Sequence, residues 1–347
     1  ISGCGDCLFS GYSSYPSMNS SLTLRANSIN LNGDVCGMLP LSSFKIYSAN
    51  PLNLNVNVTT WNLQEYVAPA IALGRDVTLN GSSGTISFIT DSLVTRRSDA
   101  IYSPGGTLAI ATYTPGTPIN LRLNDVNNGG LTVRMAVLNG QERTVFGWDG
   151  YSYQPFGSFV IGSHEYQRDG PIYLNRAINN QNGASFTFNS PVVLLKDTGI
   201  TTYGGNITFN STINSYEGTA YGLTAVTQPY YCGMCFTTFN KPVGNLTPLG
   251  YLEVYGISIL NSNITTDGNQ YYRDYVGIGD MYSNKDRTVR MSSINGNIIF
   301  NSAIDDVGNY MNCLMGGCTV NSDSLFLRAD NGTVILGGDI GYFSALD

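Results

Sequence analysis

The chain has 347 residues and a formal net charge of −7, so nucleic acid, whose phosphates require clustered Lys and Arg, is excluded as an expected partner. Hydrophobic residues make up 42% of the chain and charged residues only 12%, while Gly contributes 40 residues and Tyr 23. Scarce helix formers beside abundant Gly, Asn, Thr and Tyr predict an all-β chain with many turns.

Segments in which a glycine precedes alternating apolar and polar residues recur along the chain. Each predicts a short β-strand with one apolar face, because successive side chains of a strand point to opposite faces. The glycine supplies the positive φ or the close backbone approach that a corner requires. In chain order, the segments begin at Gly84, Gly106, Gly130, Gly170, Gly183, Gly205, Gly296 and Gly332.

The spacing of these segments favours a solenoid. Gly84 and Gly106 are 22 residues apart, the next segment begins 24 residues later, and Gly183 and Gly205 repeat the 22-residue interval. One such coil buries its apolar face only by stacking on copies of itself. We therefore predict a parallel β-helix (β-solenoid) with coils of about 22–24 residues and loop insertions. The alternative, a β-sandwich, does not repeat its sequence at coil length.

A longer repeat divides the chain into blocks. The segment from Ser21 to Leu41 matches the segment from Ser324 to Leu346, and residues 235–272 form a looser copy. We predict a single β-solenoid over residues 1–347. Its first repeat block covers residues 1–93, irregular and loop-rich coils cover 94–182, and a regular repeat block covers 183–347.

Three stretches carry a resemblance to a known family: "GNITFNSTIN" from Gly205 to Asn214, "VGNLTPLGYL" from Val243 to Leu252, and the run from Ile264 to Val276. They resemble the repeats of filamentous-haemagglutinin-type exoproteins and autotransporter passengers. The resemblance implies a right-handed parallel β-helix, a surface location, and a role in adhesion, aggregation or envelope structure. The chain differs from that family in being short and in containing seven cysteines, which fits a filament, tube or sheath subunit equally well.

The seven cysteines consist of three closely spaced pairs and one further residue. Local disulfides that pin loops are the favoured prediction for an exported chain. The alternatives are disulfides between subunits, a zinc site built from two pairs, and a thioredoxin-like redox site, whose βαβ context is absent. Cys36 is left over, as an intersubunit or free thiol or as a small buried hydrophobe. The other six fall in three close pairs: Cys4 and Cys7, Cys232 and Cys235, and Cys313 and Cys318.

The sequence shows no catalytic constellation, so no enzyme activity is predicted. A β-helix enzyme acting on polysaccharide, the least favoured alternative, needs convergent carboxylates. Asp305 and Asp306 are adjacent, which on a strand turns their side chains to opposite faces, and His164 stands without a nucleophile motif. Phosphate-binding and calcium-binding motifs are missing as well, and we predict neither a cofactor nor a metal.

Tyrosine-rich stretches are the remaining candidates for binding. They include the runs from Trp148 to Tyr153, from Gln228 to Tyr231 and from Tyr271 to Tyr275. Such side chains stack on sugars, pack against a neighbouring subunit, or line the corners of coils.

These features predict an exported protein. No run approaches the roughly 18 apolar residues of a membrane helix. The chain begins with Ile1, which suggests a mature protein whose leader was removed, although an excised fragment of a longer chain would begin in the same way. The leading hypothesis is a non-enzymatic extracellular structural protein whose solenoids polymerise through their ends or edges into a cell-surface filament, tube or sheath. The alternative is a surface adhesin that binds a glycan or the surface of a host or partner cell.

Overall fold

The computed structural model describes residues 20–35, 40–96, 98–122, 129–139, 145–147, 152, 155–163, 170–227, 234–279, 287–307 and 323–341. Within these ranges the regular secondary structure is almost entirely β-strand. Its contacts group it into two compact units, unit 1 (Ile1–Pro171) and unit 2 (Ile172–Asp347), which are described separately.

In unit 1 the described strands return repeatedly to the same sheets. The longest sheet has the order β1-β2-β4-β7-β10-β13, a second ladder joins β4, β6 and β9, a third has the order β3-β5-β8, and β11 pairs with β12. The elements are β1 (Ser21–Ala26), β2 (Leu41–Ser48), β3 (Leu52–Leu54), β4 (Val58–Val67), β5 (Ile71–Leu73), β6 (Thr78–Asn80), β7 (Thr85–Ile89), β8 (Leu93–Val94), β9 (Ala100–Tyr102), β10 (Thr107–Ala111), β11 (Ile119–Arg122), β12 (Leu131–Arg134), α1 (Met135–Leu138) and β13 (Ser158–Ile161).

Unit 2 repeats a cycle of three strands. Its sheets have the orders β16-β19-β22-β24-β27-β30, β15-β18-β21-β23-β26-β29-β32, β14-β17-β20 and β25-β28-β31. The strands are β14 (Ile172–Leu174), β15 (Ile178–Asn180), β16 (Ser185–Phe188), β17 (Val192–Leu194), β18 (Thr198–Thr202), β19 (Ile207–Phe209), β20 (Ile213–Ser215), β21 (Leu223–Thr227), β22 (Phe236–Phe239), β23 (Leu252–Tyr255), β24 (Ile257–Leu260), β25 (Ile264–Thr266), β26 (Gln270–Tyr272), β27 (Val276–Ile278), β28 (Thr288–Ser293), β29 (Ile298–Phe300), β30 (Ile304–Asp306), β31 (Ser324–Ala329) and β32 (Val334–Leu336).

The parallel pairing of strands from successive turns confirms the predicted β-solenoid. In unit 1, Gln64 aligns with Ile86 and Ile86 with Leu108, at intervals of 22 residues that match the prediction. In unit 2 the interval varies, from 18 residues between Leu252 and Gln270 to 36 between Ile298 and Val334.

The variation in coil length arises at the corners. Three residues connect β17 to β18, whereas seven connect β20 to β21, and residues 216–220 of the longer corner are exposed. Despite this difference, Ile200 of β18 still aligns with Ala225 of β21. The inward strand is therefore held in register while the corner length changes.

Aromatic stacks run through the core of each unit. In unit 2, the Phe209 ring stacks between the rings of Phe188 and Phe239, with centroid distances of 5.0 and 5.4 Å, and the ring planes are nearly parallel. In unit 1, Tyr66 stacks on Phe88 at 5.5 Å. Strands of neighbouring coils are about 4.8 Å apart, so identical inward positions place rings in direct contact.

An asparagine ladder runs along one corner of unit 2. The Asn210 side-chain amide donates to Asn189 Oδ1 at 2.8 Å, Asn240 donates to Asn210 at 2.7 Å, and Asn261 donates to Asn240 at 2.6 Å. Each amide thus donates to the preceding coil, and those of Asn210 and Asn240 also accept from the following coil. The ladder satisfies polar groups that a half-buried corner would otherwise leave unpaired.

We expect the variant Asn240→Ala to lower the free energy of unfolding by about 1–2 kcal/mol, because it leaves Asn210 Oδ1 and the Asn261 amide without partners. Urea unfolding followed by circular dichroism measures this change. The control is Asn245→Ala, at an exposed loop position, with an expected change within about 0.5 kcal/mol. Equal effects of the two variants would show that the ladder does not stabilise the fold.

Close backbone approach explains the glycine at several corners. A Cβ atom on Gly296 would lie 2.4 Å from the Gly268 carbonyl carbon, and one on Gly332 would lie 2.1 Å from the Gly296 oxygen. Gly183 instead has a positive φ of 75°. Both roles predicted for the corner glycines therefore occur, at different positions.

Candidate functional site

Cys235 is the one cysteine among the described residues. Its side chain is buried and disulfide-bonded. The remaining cysteines lie outside the described residues, so the pairings and the state of the leftover thiol stay predictions. These residues are Cys4, Cys7, Cys36, Cys232, Cys313 and Cys318.

The adjacent carboxylates of Asp305 and Asp306 are part of the folded interior. Asp305 and Asp306 lie on β30, and both are fully buried. Asp306 accepts a hydrogen bond from the Asp323 backbone N–H at 3.4 Å, and Asp323 accepts one from the Arg287 N–H at 2.6 Å. The carboxylates of Asp306 and Asp323 therefore each accept a hydrogen bond from the backbone of another segment.

Within the described ranges, no group of three or more His, Cys, Asp or Glu side chains is placed to hold a metal ion. The single histidine, His164, lies outside those ranges.

Apolar side chains at inward positions are exposed in the outermost described coils. Leu22 of β1 aligns with buried Phe44, yet it is 39% exposed. Leu336 of β32 aligns with Phe300, which is 1% exposed, yet Leu336 is 45% exposed. Within the described part of the chain, β1 and β32 are each the last strand of their sheet. We call these two strands the terminal edges.

The outermost coils also share a sequence. β1 reads SLTLRA and β31, in the same coil as β32, reads SLFLRA. The outward arginine side chains of this region stack on rings of the adjacent strand. Arg25 lies 3.8 Å from the Tyr47 ring centroid, and Arg290 lies 5.2 Å from that of Phe326. The two outermost described coils therefore each contain a six-residue strand of similar sequence, β1 in one and β31 in the other.

A second candidate site, which we name the tyrosine–glutamate cluster, lies on the outer face of unit 2. Its members on and beside β23 face outward because the intervening Leu252 and Val254 are buried, and those on and beside β26 face outward because the intervening Tyr272 is buried. Tyr271 of β26 aligns directly with Glu253 of β23. The cluster consists of Tyr251, Glu253, Tyr255, Tyr271 and Arg273.

The cluster has defined internal geometry. The Tyr255 and Tyr271 ring centroids are 5.8 Å apart with planes inclined by 58°, and the Arg273 guanidinium lies 5.8 Å from the Tyr255 centroid. The Asn301 amide donates to the Tyr271 hydroxyl at 2.7 Å. These contacts position the two rings on the outer face of unit 2 and leave the exposed Arg273 side chain beside one of them.

Electrostatics link the cluster's carboxylate to its hydroxyls. Burial raises the pKa of the Tyr255 hydroxyl, the negative charge of Glu253 raises it further, and the positive charge of Arg273 lowers it. Burial also raises the pKa of Tyr251; a hydrogen bond with Thr224 opposes this shift, and the charges of Asp197 and Glu253 add to it. Burial is therefore the main cause of both shifts, and the carboxylate of Glu253 adds to each of them.

Unit 1 contains a cavity of about 400 Å³ between β8 and β12. Its apolar lining includes Ile110, Val137 and Phe146. Asp91 lines the cavity too, but its carboxylate accepts hydrogen bonds from the backbone N–H groups of Tyr113 and Thr114, each at 3.0 Å. The acidic group is thus committed to holding a loop.

Two further results bear on the class of protein. Among the described residues, no helix has the length and apolar character needed to cross a bilayer. No family model, no curated protein and no solved structure matches this chain.

Proposed function

We propose that this chain is a non-enzymatic structural protein of the cell exterior, whose β-solenoids stack through their terminal edges into a filament, tube or sheath. The observation that carries the proposal is the exposure of Leu22 and Leu336 at positions that are buried in every adjacent coil. An exposed strand edge with apolar inward positions is a template for pairing with a further strand.

A second copy of this chain is the occupant that fits such an edge. Covering Leu336 requires a parallel strand with apolar residues at alternate positions, which a coil of this chain supplies. Fully burying one such leucine stabilises an interface by about 1.5–3 kcal/mol, and the paired backbone adds hydrogen bonds along the edge. The near-identical strands β1 and β31 show that the outermost coils at both ends share strand length and polarity.

Location outside the cell is supported by the buried disulfide at Cys235, since disulfides persist in oxidising compartments. The resemblance of the repeats to those of exported β-helix proteins points the same way. The low content of charged side chains, 12%, fits a protein that functions as a packed assembly.

We expect the variant Leu336→Lys to abolish assembly of the purified protein, because a charge at an inward position opposes stacking of the next coil. The matched control is Ile335→Lys, since Ile335 is 44% exposed on the same strand but points to the outer face. Light scattering after size-exclusion chromatography and negative-stain electron microscopy measure assembly.

Three results decide the proposal. Assembly by the natural chain and the control but not by Leu336→Lys supports stacking through the terminal edges. Equal assembly by both variants would place the contact elsewhere. A natural chain that stays monomeric under reducing and non-reducing conditions would contradict the proposal and leave further coils of a longer chain as the cover for these edges.

The second candidate function is a surface adhesin, favoured by the outward tyrosine–glutamate cluster. It differs from the first in requiring binding by isolated monomers. The Leu336→Lys variant supplies such monomers, so a glycan or cell-binding assay with this variant tests adhesion apart from assembly.

A further inference from the structure

We infer that the tyrosine–glutamate cluster is a binding site for an organic cation carrying an alkylammonium group. The inference does not depend on the proposed assembly, because every member of the cluster lies on the outer face of unit 2 and none belongs to a terminal edge.

The arrangement places one carboxylate among three rings. Tyr251 and Tyr255 are two residues before and after Glu253 on the same face of the chain, and Tyr271 occupies the aligned position on the adjacent strand. The face of an aromatic ring is electronegative and attracts a cation within about 6 Å of its centroid. A carboxylate surrounded by such rings adds a full negative charge to that attraction.

Glu253 keeps most of its capacity to accept hydrogen bonds. Its carboxylate receives a single long hydrogen bond, 3.5 Å, from Thr224 within the described part of the chain. Asp197 adds negative charge beside Tyr251, where its other role is to accept the Gly222 backbone N–H at 2.8 Å. Within the cluster the charges of Glu253 and Arg273 cancel, so a ligand that takes the place of the Arg273 guanidinium is favoured when it is itself a cation.

The cluster already accommodates a cation. The Arg273 guanidinium lies 5.8 Å from the Tyr255 ring centroid, and the Arg273 side chain is exposed. The side chain is therefore free to move aside, and it acts as a tethered competitor for the same ring. This arrangement predicts that removal of Arg273 strengthens the binding of an external cation.

Choline is the probe, and its neutral tert-butyl analogue is the matched control ligand. Two-dimensional NMR reports binding through the resonances around β23 and β26, on the natural chain if it is monomeric and otherwise on whichever variant is monomeric. We expect Glu253→Gln and Tyr271→Leu each to weaken choline binding by about threefold to tenfold, and Arg273→Gln to strengthen it by about twofold or more. Tyr113→Leu, at an exposed tyrosine of unit 1, is expected to leave affinity unchanged.

Comparison of the two ligands separates cation binding from other modes. Choline binding that falls as salt rises, with no binding of the neutral analogue, supports the site. Equal binding of both ligands, or weaker binding by Arg273→Gln, overturns it. Binding of neutral sugars that is insensitive to Glu253→Gln would assign the rings to sugar stacking instead. Circular dichroism confirms that each variant is folded before binding is measured.

Discussion

Replacing Phe209 by alanine is expected to lower the free energy of unfolding by about 3–5 kcal/mol, the largest effect of any single change considered for stability. Phe209 is buried between the rings of Phe188 and Phe239, at centroid distances of 5.0 and 5.4 Å. Its removal leaves a cavity that neighbouring coils cannot close, because their strands are held in register by parallel hydrogen bonds on both sides.

Urea unfolding of the full chain, followed by far-ultraviolet circular dichroism, measures this loss. Phe209→Leu restores much of the volume and is expected to cost less than the alanine variant. The exposed Phe326 serves as the matched control, because its truncation removes only an outward contact with Arg290 and should cost under about 1 kcal/mol. If truncation of Phe209 cost no more than truncation of Phe326, the aromatic stack would not hold the coils together.

Replacing Gly296 by alanine is expected to destabilise unit 2 by about 1–3 kcal/mol. The added Cβ atom would lie 2.4 Å from the Gly268 carbonyl carbon, so the backbone of one coil must shift away from the other. Gly332 of the following coil packs directly on Gly296, since a Cβ atom added to Gly332 would lie 2.1 Å from the Gly296 oxygen. The shift is therefore expected to reach that coil as well.

The matched control for this change is Gly199→Ala, on β18 of the same unit. There the added Cβ would lie 3.2 Å from the Thr224 oxygen, a contact that a few tenths of an ångström relieve. A melting temperature that falls much further for Gly296→Ala than for Gly199→Ala supports the close approach. Equal shifts would show that the loss of glycine itself, and not the contact between coils, sets the cost.

The strands of the solenoid were predictable because their signal is local. The phrases that follow Gly205 and Gly296 became β19 and β29, with Ile207 and Ile298 buried, since alternation assigns each side chain to a face. The partners along the asparagine ladder were not predictable. Asn189 and Asn210 are 21 residues apart but Asn210 and Asn240 are 30 apart, so no fixed period aligns them.

The candidate sites show the same limit. The run from Tyr271 to Tyr275 is tyrosine-rich, but its first two residues, Tyr271 and Tyr272, point to opposite faces of β26. Tyr271 faces outward beside Glu253, whereas Tyr272 is fully buried on Phe300, where burial strongly raises the pKa of its hydroxyl. Which face binds depends on partners supplied by another coil, and sequence spacing does not identify them.

Burial of acidic side chains was also beyond local pattern. Asp305 and Asp306 are adjacent on a strand, and alternation alone leaves one of them on the outer face. Both are buried, and Asp323, which also lies inside, comes from a segment 17 residues further on. The burial of an outward-facing side chain depends on segments distant in sequence, and the alternation within the strand does not predict it.

The unequal corners between β17 and β18 and between β20 and β21 have a practical consequence. Three or seven connecting residues leave Ile200 and Ala225 aligned, so the length of the connection does not set the register of the ladder. Its tip at residues 217–219 is exposed, and a Cβ atom added at Gly218 would meet open space. A foreign epitope grafted there would be displayed on the molecule's exterior without altering the frame that carries it. If the chain polymerises, the same graft would decorate every subunit of the array at a regular repeat.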